Sequence, residues 1–308
     1  MEFSKNISSN PHIRSKQTTS KIMLMVIMAL IPTSCVGVYN FGLRALFIII
    51  ITVATTVLSE FTYQKLMKKD NTIGDFSAVL TGLLLALNLP VNLPYWMCVL
   101  GGIFAIIVVK MLFGGLGQNF MNPALGARCF LMISFTQAMT DFVTDVYTGP
   151  TPLAALAASE EINLNKMILG FTGGTIGETS MIALVIGAIF LVLIGVIDLK
   201  VPFSYIISFI LFLILFSDKG IDPYFIAAHL SGGGLMLGAF FMATDYVTRP
   251  ISAKGQIIFG ILLGFLTAIF RVFGASTEGV SYAIIIGNLM VPLIDKMSIP
   301  KPFGRGGE

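Results

Sequence analysis

Three stretches of this sequence carry side chains that can do chemistry. The first, Asp145-Val-Tyr-Thr-Gly-Pro-Thr151-Pro-Leu, is a short polar island in an otherwise membrane-like chain, with a carboxylate, a phenol and two threonine hydroxyls close together. The second, Phe241-Met-Ala-Thr-Asp245, closes an apolar segment on a carboxylate beside the Thr244 hydroxyl. With nearby free carbonyls, Asp245 and Thr244 make a ligand set for a hard cation such as Na+, or a proton relay. A helix-terminal aspartate in the headgroup region is the plainer alternative, and both stay open. The third, Asn119-Phe-Met-Asn-Pro-Ala-Leu-Gly-Ala-Arg128, opens a further apolar segment. Asn122 is placed to cap a helix that starts at Pro123. The planar fork of Arg128 suits a carboxylate, a phosphate or a cofactor edge.

Other chemistries find no support. The cysteines Cys35, Cys98 and Cys129 are too widely spaced for a zinc or iron–sulfur run. The histidines His12 and His229 belong to no Ser-His-Asp or H-E-x-x-H pattern. The run Phe171-Thr-Gly-Gly-Thr-Ile-Gly177-Glu-Thr lets backbone approach a phosphate, but it lacks the Lys-Ser/Thr ending of a nucleotide loop. Capping of the next helix by Thr179 or a neighbour explains it equally well.

Composition says what must position these residues. Apolar side chains make up 56% of 308 residues and charged ones 11%, less than half the share in a soluble domain. Mean hydropathy is +0.89. A polytopic all-α membrane protein is expected. The net charge of +3 is too small to point to nucleic acid. Ten apolar segments are read, at 21–38, 43–66, 74–89, 94–113, 121–136, 180–197, 202–217, 222–244, 255–273 and 279–295. Several are short. Gly74 and Pro90 bound one, and Gly232-Gly-Gly234 interrupts another, as in broken helices. Asp75 is expected to cap the third segment.

Ten crossings with a cytoplasmic N-terminus put 15 of the 19 basic residues on the cytoplasmic side, as the positive-inside rule requires, and eight crossings with two re-entrant segments fit nearly as well. The division is then a cytoplasmic arm (1–20), a membrane half (21–136), an extracytoplasmic loop carrying Thr151 (137–179), a second membrane half (180–295) and a cytoplasmic tail (296–308). The halves read as repeats. Pro90 to Lys110 spans 20 residues and Pro250 to Arg271 spans 21; Gly114 to Gly126 spans 12 and Gly274 to Gly287 spans 13. Five segments per half makes the repeats inverted, and such folds place a site near the midplane at the repeat interface.

Asp145, Thr148 and Thr151 also resemble the flavinylation motif D-x-x-[ST]-x-x-T, in which FMN is joined to the last threonine by a phosphoester; Pro150 stands where Ala is usual. Joined to Asn122-Pro-Ala124…Arg128 and Ser231-Gly-Gly-Gly234…Gly238-Ala-Phe-Phe-Met-Ala-Thr-Asp245, this makes nearly the whole chain similar to the RnfD/NqrB family. Its members are membrane subunits of the Rnf complex and of the Na+-translocating NADH:quinone oxidoreductase, and the length of this chain favours the Rnf branch. The resemblance implies a membrane subunit of a ferredoxin:NAD+ oxidoreductase that relays electrons coupled to Na+ or H+ transport and is inactive alone. Thr151 would carry covalent FMN, attached by a flavin transferase, with Asp145, Tyr147, Thr148, Asn122 and Arg128 as cofactor-binding residues. A non-covalent riboflavin would sit among the helices. Asp245 and Thr244 are the ion-coupling candidates. The chain has no NAD fingerprint and no ferredoxin-type cysteine run, so other Rnf-type membrane and soluble subunits must supply the NAD and ferredoxin chemistry. The alternative is an inverted-repeat channel or secondary transporter without a redox cofactor, which leaves the acidic Asp145–Thr151 loop unexplained.

Overall fold

The computed structural model describes residues 17–142, 150–158, 162–178, 180–274 and 279–298. Among them every regular element is helical, and one antiparallel bridge joins Pro90 to Thr175. The first half holds α1 (Thr19–Phe41), α2 (Leu43–Leu66), α3 (Ser77–Leu87), α4 (Tyr95–Ile103) and α5 (Pro123–Ser134). Three short helices follow: α6 (Thr136–Met139), α7 (Pro152–Ala157) and α8 (Leu164–Leu169). The second half holds α9 (Met181–Leu193), α10 (Lys200–Phe216), α11 (Pro223–Ser231), α12 (Leu235–Leu237), α13 (Ala253–Phe273) and α14 (Val280–Ser298).

Each of the ten apolar segments carries a helix, but length separates them. Helices α1, α2, α13 and α14 are long and apolar enough to cross a bilayer, and α11 with the stretch to Met242, bent by 63°, is a fifth candidate. The helices of the other five segments, with α4 counted through to Met111, have 10–17 residues. Helix α3, with 11 residues, is roughly 16 Å long at 1.5 Å per residue, about half a hydrocarbon core. Ile207, Leu211 and Leu215 stand exposed at four-residue spacing on α10, an outward apolar face that water would not favour.

Small residues set the closest helix packing. A Cβ at Gly260 or Gly264 of α13 would strike Ser204 or Ser208 of α10, and Tyr205 Oη meets Thr267 Oγ1 at 2.6 Å between the same helices. This four-residue spacing of glycines lets helix backbones approach in lipid. Two segments unwind to π-helix: Phe104–Met111, which continues α4, and Gly238–Met242, which continues α12. Their i→i−5 bonds include Leu112 N to Ile107 O at 3.0 Å and Ala243 N to Gly238 O at 2.8 Å.

The two halves meet along a polar seam between α5 and α14. Arg128 Nη1 donates to Asn88 Oδ1 (2.8 Å) and to Ser281 Oγ (2.9 Å). With its amide set to satisfy both neighbours, Asn288 donates to Thr248 O and accepts from Asn122 N, each at 3.1 Å. The stretch from Thr151 onward packs back onto the bundle. Leu153, Leu156 and Met167 form a small core with Ala228 of α11, and Gly177 N donates to Leu87 O at the end of α3 (2.8 Å).

Candidate functional site

Four of the side chains singled out in the sequence, Asn122, Thr151, Thr244 and Asp245, line two recesses at opposite ends of α3. The first recess lies where α1, α3 and α5 begin, facing the end of the Gly238–Met242 π-helix. Its cavity volume is about 70 Å³. Its apolar wall includes Met23, Leu84 and Phe241; its polar wall includes Ser77, Lys110, Asn119, Asn122, Thr244 and Asp245. Asn122 caps α5, its Oδ1 accepting from Ala124 N (3.0 Å) and Leu125 N (3.4 Å). Thr244 Oγ1 donates to Phe240 O at 2.7 Å. Asp245 is half-buried; its Oδ1 accepts from Val247 N at 3.3 Å and its Oδ2 from Thr248 Oγ1 at 3.2 Å. Loose bonds of this length leave carboxylate lone pairs for a further donor or cation.

A buried ion pair stands behind that wall. Lys110 Nζ lies 2.6 Å from Glu60 Oε2 and donates to Ser77 Oγ at 2.7 Å. The two ionic side chains are 2% and 0% exposed. Such a pair persists only when geometry and extra hydrogen bonds offset the loss of hydration. Here Glu60 Oε1 also accepts from Thr72 Oγ1 (3.0 Å) and Gln64 Nε2 (3.3 Å). In the sequence Glu60 is hidden by the apolar run around it, and Lys110 reads as one more basic residue at a cytoplasmic end. A signal is nonetheless present, since Glu60 is the one acidic residue in the 24-residue α2.

The second recess lies near the other end of α3. Thr151, Thr172, Gly173, Gly174, Glu178, Ser231, Gly232 and Gly233 are among the residues that line it, and its cavity volume is about 20 Å³. Thr151 is half-buried and caps α7, its Oγ1 accepting from Ala154 N at 3.4 Å. The floor is backbone. Gly233 and Gly234 adopt φ of 67° and 64° at the α11–α12 break, where a side chain is strained. Arg271 holds this break from behind: Nη2 donates to Gly232 O (2.9 Å) and Gly233 O (3.0 Å), and Nη1 donates to His229 O. Its guanidinium also lies 5.2 Å from the Phe209 ring centre. Glu178 accepts from Thr175 Oγ1 at 3.1 Å.

The sequence matches the model of the NQR2, RnfD, RnfE family over residues 6–304. The chain belongs to that family. Among its relatives, one is a subunit of the Na(+)-translocating ferredoxin:NAD(+) oxidoreductase complex of Acetobacterium woodii; it is 46% identical, with 98% of this chain and 96% of that one aligned. Another belongs to the proton-translocating ferredoxin:NAD(+) oxidoreductase complex of Clostridium ljungdahlii and is 42% identical over 97% and 96%. A third, from the ion-translocating oxidoreductase complex of Methanosarcina acetivorans, is 34% identical over 97% and 96%.

In this NQR2, RnfD, RnfE family chain the expected site residues therefore divide. Asn122, Thr244 and Asp245 share the first recess, and Thr151 stands alone of them at the second. Arg128 lines neither and serves the seam between halves. Asp145, Tyr147 and Thr148 lie outside the described residues. Asp75 is not the N-cap of α3, a position that falls to Phe76 in the left-handed conformation; it stands one residue earlier, and its Oδ1 accepts from Ser77 N at 2.7 Å. Ser180, next to Thr179, caps α9 by accepting from Ala183 N at 3.3 Å. His229 is buried against Phe225, ring centres 4.5 Å apart. Among the described residues no cluster of His, Cys, Asp or Glu is arranged to hold a metal ion.

Proposed function

We propose that this chain is the RnfD-type membrane subunit of an ion-translocating ferredoxin:NAD+ oxidoreductase, the activity named for its relatives, and that it carries FMN as a phosphoester on Thr151. The observation that carries the flavin assignment is the setting of Thr151. Its hydroxyl stands at a recess whose wall includes Gly173, Gly174, Gly232 and Gly233, where backbone without side chains admits a phosphate-bearing group closely. Asp145, Tyr147 and Thr148 belong to the loop that the transferase would read. Flavin chemistry supplies one- and two-electron transfer; the protein supplies position and field. Arg271 contributes both, fixing the glycine floor and bringing a cation behind it.

The first recess is the place for a non-covalent riboflavin. Its walls are largely apolar, and Asn119 and Asn122 present amides to a ring edge. Asp245 and Thr244 at its rim are the ion-coupling residues, whether the ion is Na+ or H+. The ten helical segments form two inverted five-segment repeats, 21–136 and 180–295. Both termini are cytoplasmic, the 137–179 loop is extracytoplasmic, and the membrane is the bacterial or archaeal cytoplasmic one. Partner subunits meet ferredoxin and NAD, and a flavin transferase loads Thr151.

The test is in-gel flavin fluorescence of the denatured chain, wild type against Thr151→Ala, co-expressed with a flavin transferase. Fluorescence in the wild type alone is expected. No fluorescence in either, with a control substrate labelled, sinks the covalent flavin and leaves a cofactor-free transporter as the better reading.

A further inference from the structure

The Glu60–Lys110 pair has no part in the function above, yet Lys110 and Ser77 form part of the first recess's wall. The two oxygens of Glu60 face opposite ways. Oε2 meets Lys110, and Oε1 meets Gln64 of α2 and Thr72 of the α2–α3 connection, where Thr72 is exposed. Ser77 bridges likewise, accepting from Lys110 Nζ and donating to half-buried Asp75 Oδ1. Two hydrogen-bonded branches thus run from the surface to one buried ammonium. Val57, Tyr63, Ala78, Ile106 and Met111 pack together alongside as apolar insulation. The other charged group on the recess is Asp245, and the α1 side offers only Ile22, Met23 and Val26. A second feature points the same way. Lys110 and Phe241 sit on the two π-helical segments, a distortion that recurs at functional sites.

We propose that Glu60, Lys110, Ser77, Asp75 and Thr72 form a proton-exchange path between the α2–α3 surface and the ligand of the first recess. This rests on the reading of that recess as a flavin site. When the flavin gains an electron from the one-electron donor of the relay, Lys110 Nζ gives it one proton, balancing the charge. Lys110 is recharged by a proton entering at Thr72 and crossing the Glu60 carboxylate, or entering at Asp75 and crossing the Ser77 hydroxyl. Reoxidation returns the proton by the same groups.

The experiment uses the full chain in lipid nanodiscs with Thr151→Ala, so that no covalent flavin contributes, loaded with riboflavin. The flavin midpoint potential is measured from pH 6 to 9. One proton per electron is expected in this background, and a pH-independent potential with E60Q/K110M added, which removes both charges together. An unchanged slope in that variant, with flavin retained, overturns the path. A slope that follows Na+ rather than pH also overturns it, in favour of a cation. Failure of the Thr151→Ala chain to retain riboflavin overturns the flavin reading itself, a result distinct from either. T72V/D75N leaves the buried pair intact, and the substituted amide oxygen can still accept from Ser77 N. It is expected to slow flavin reduction severalfold with an enlarged solvent isotope effect, and an unaltered rate counts against the path.

Discussion

Lys110 and Arg271 end comparable long segments of the two halves, and both are buried, but the protein satisfies them differently. Lys110 meets a carboxylate from α2 and a hydroxyl from α3. Arg271 meets the carbonyls of His229, Gly232 and Gly233. The cause is the neighbouring helix. Where a helix is intact its carbonyls are consumed, so a buried cation needs a side-chain partner. Where α11 breaks at Gly232–Gly234, carbonyls are released with nothing to accept from, and a planar fork of donors collects them. The first recess is therefore tunable by side-chain charge, and the second is fixed by backbone shape.

Removing one member of the ionic pair tests that contrast most severely. Glu60→Leu alone strands a buried ammonium and is expected to cost about 3–5 kcal/mol, whereas E60Q/K110M removes both charges and should unfold near the wild-type temperature. Equal losses in thermal unfolding would mean that the pair is not insulated as described. Next in size is Arg271→Lys, which keeps charge but loses the fork. Freed carbonyls at about 1–3 kcal/mol each should lower stability and Thr151 labelling together, with no change in retention of riboflavin by the first recess. Gly233→Ala attacks the same floor from the front. At φ 67° its Cβ would strike the Arg271 guanidinium, for about 1–3 kcal/mol and weaker labelling. The smallest effect belongs to the exposed Asp198–Lys200 pair, 2.9 Å apart. The Lys200 ammonium holds the Asp198 carboxyl below the usual range. Whatever the pair contributes is present above the unfolded carboxylate value and fades as pH falls through the folded one. Asp198→Ala should shift stability by less than about 0.5 kcal/mol at pH 7.

Much of the helical order was legible because apolar runs and Gly/Pro breaks are local signals. The break at Gly232–Gly234 and the Asn122 cap follow from single residues. Long-range pairing was not legible. Glu60 lies in an apolar run, 50 residues from Lys110, and only packing of α4 and its π-helical continuation against α2 joins them. Arg128 showed as a buried cation, but nothing in its own stretch announces amide and hydroxyl partners from Asn88 and Ser281. Thr151 was found by its motif, while its glycine wall comes from two segments distant in sequence.

Helix α3, which runs from the first recess towards the second, is only roughly 16 Å long. In a bilayer a voltage drops mainly across the dry material between water-accessible pockets. An electron or ion passing along α3 would therefore do the full electrical work, about 2.3 kcal/mol per charge per 100 mV, over half the usual distance. On the proposed topology, the shortness of one helix would concentrate the membrane's electric field within this protein.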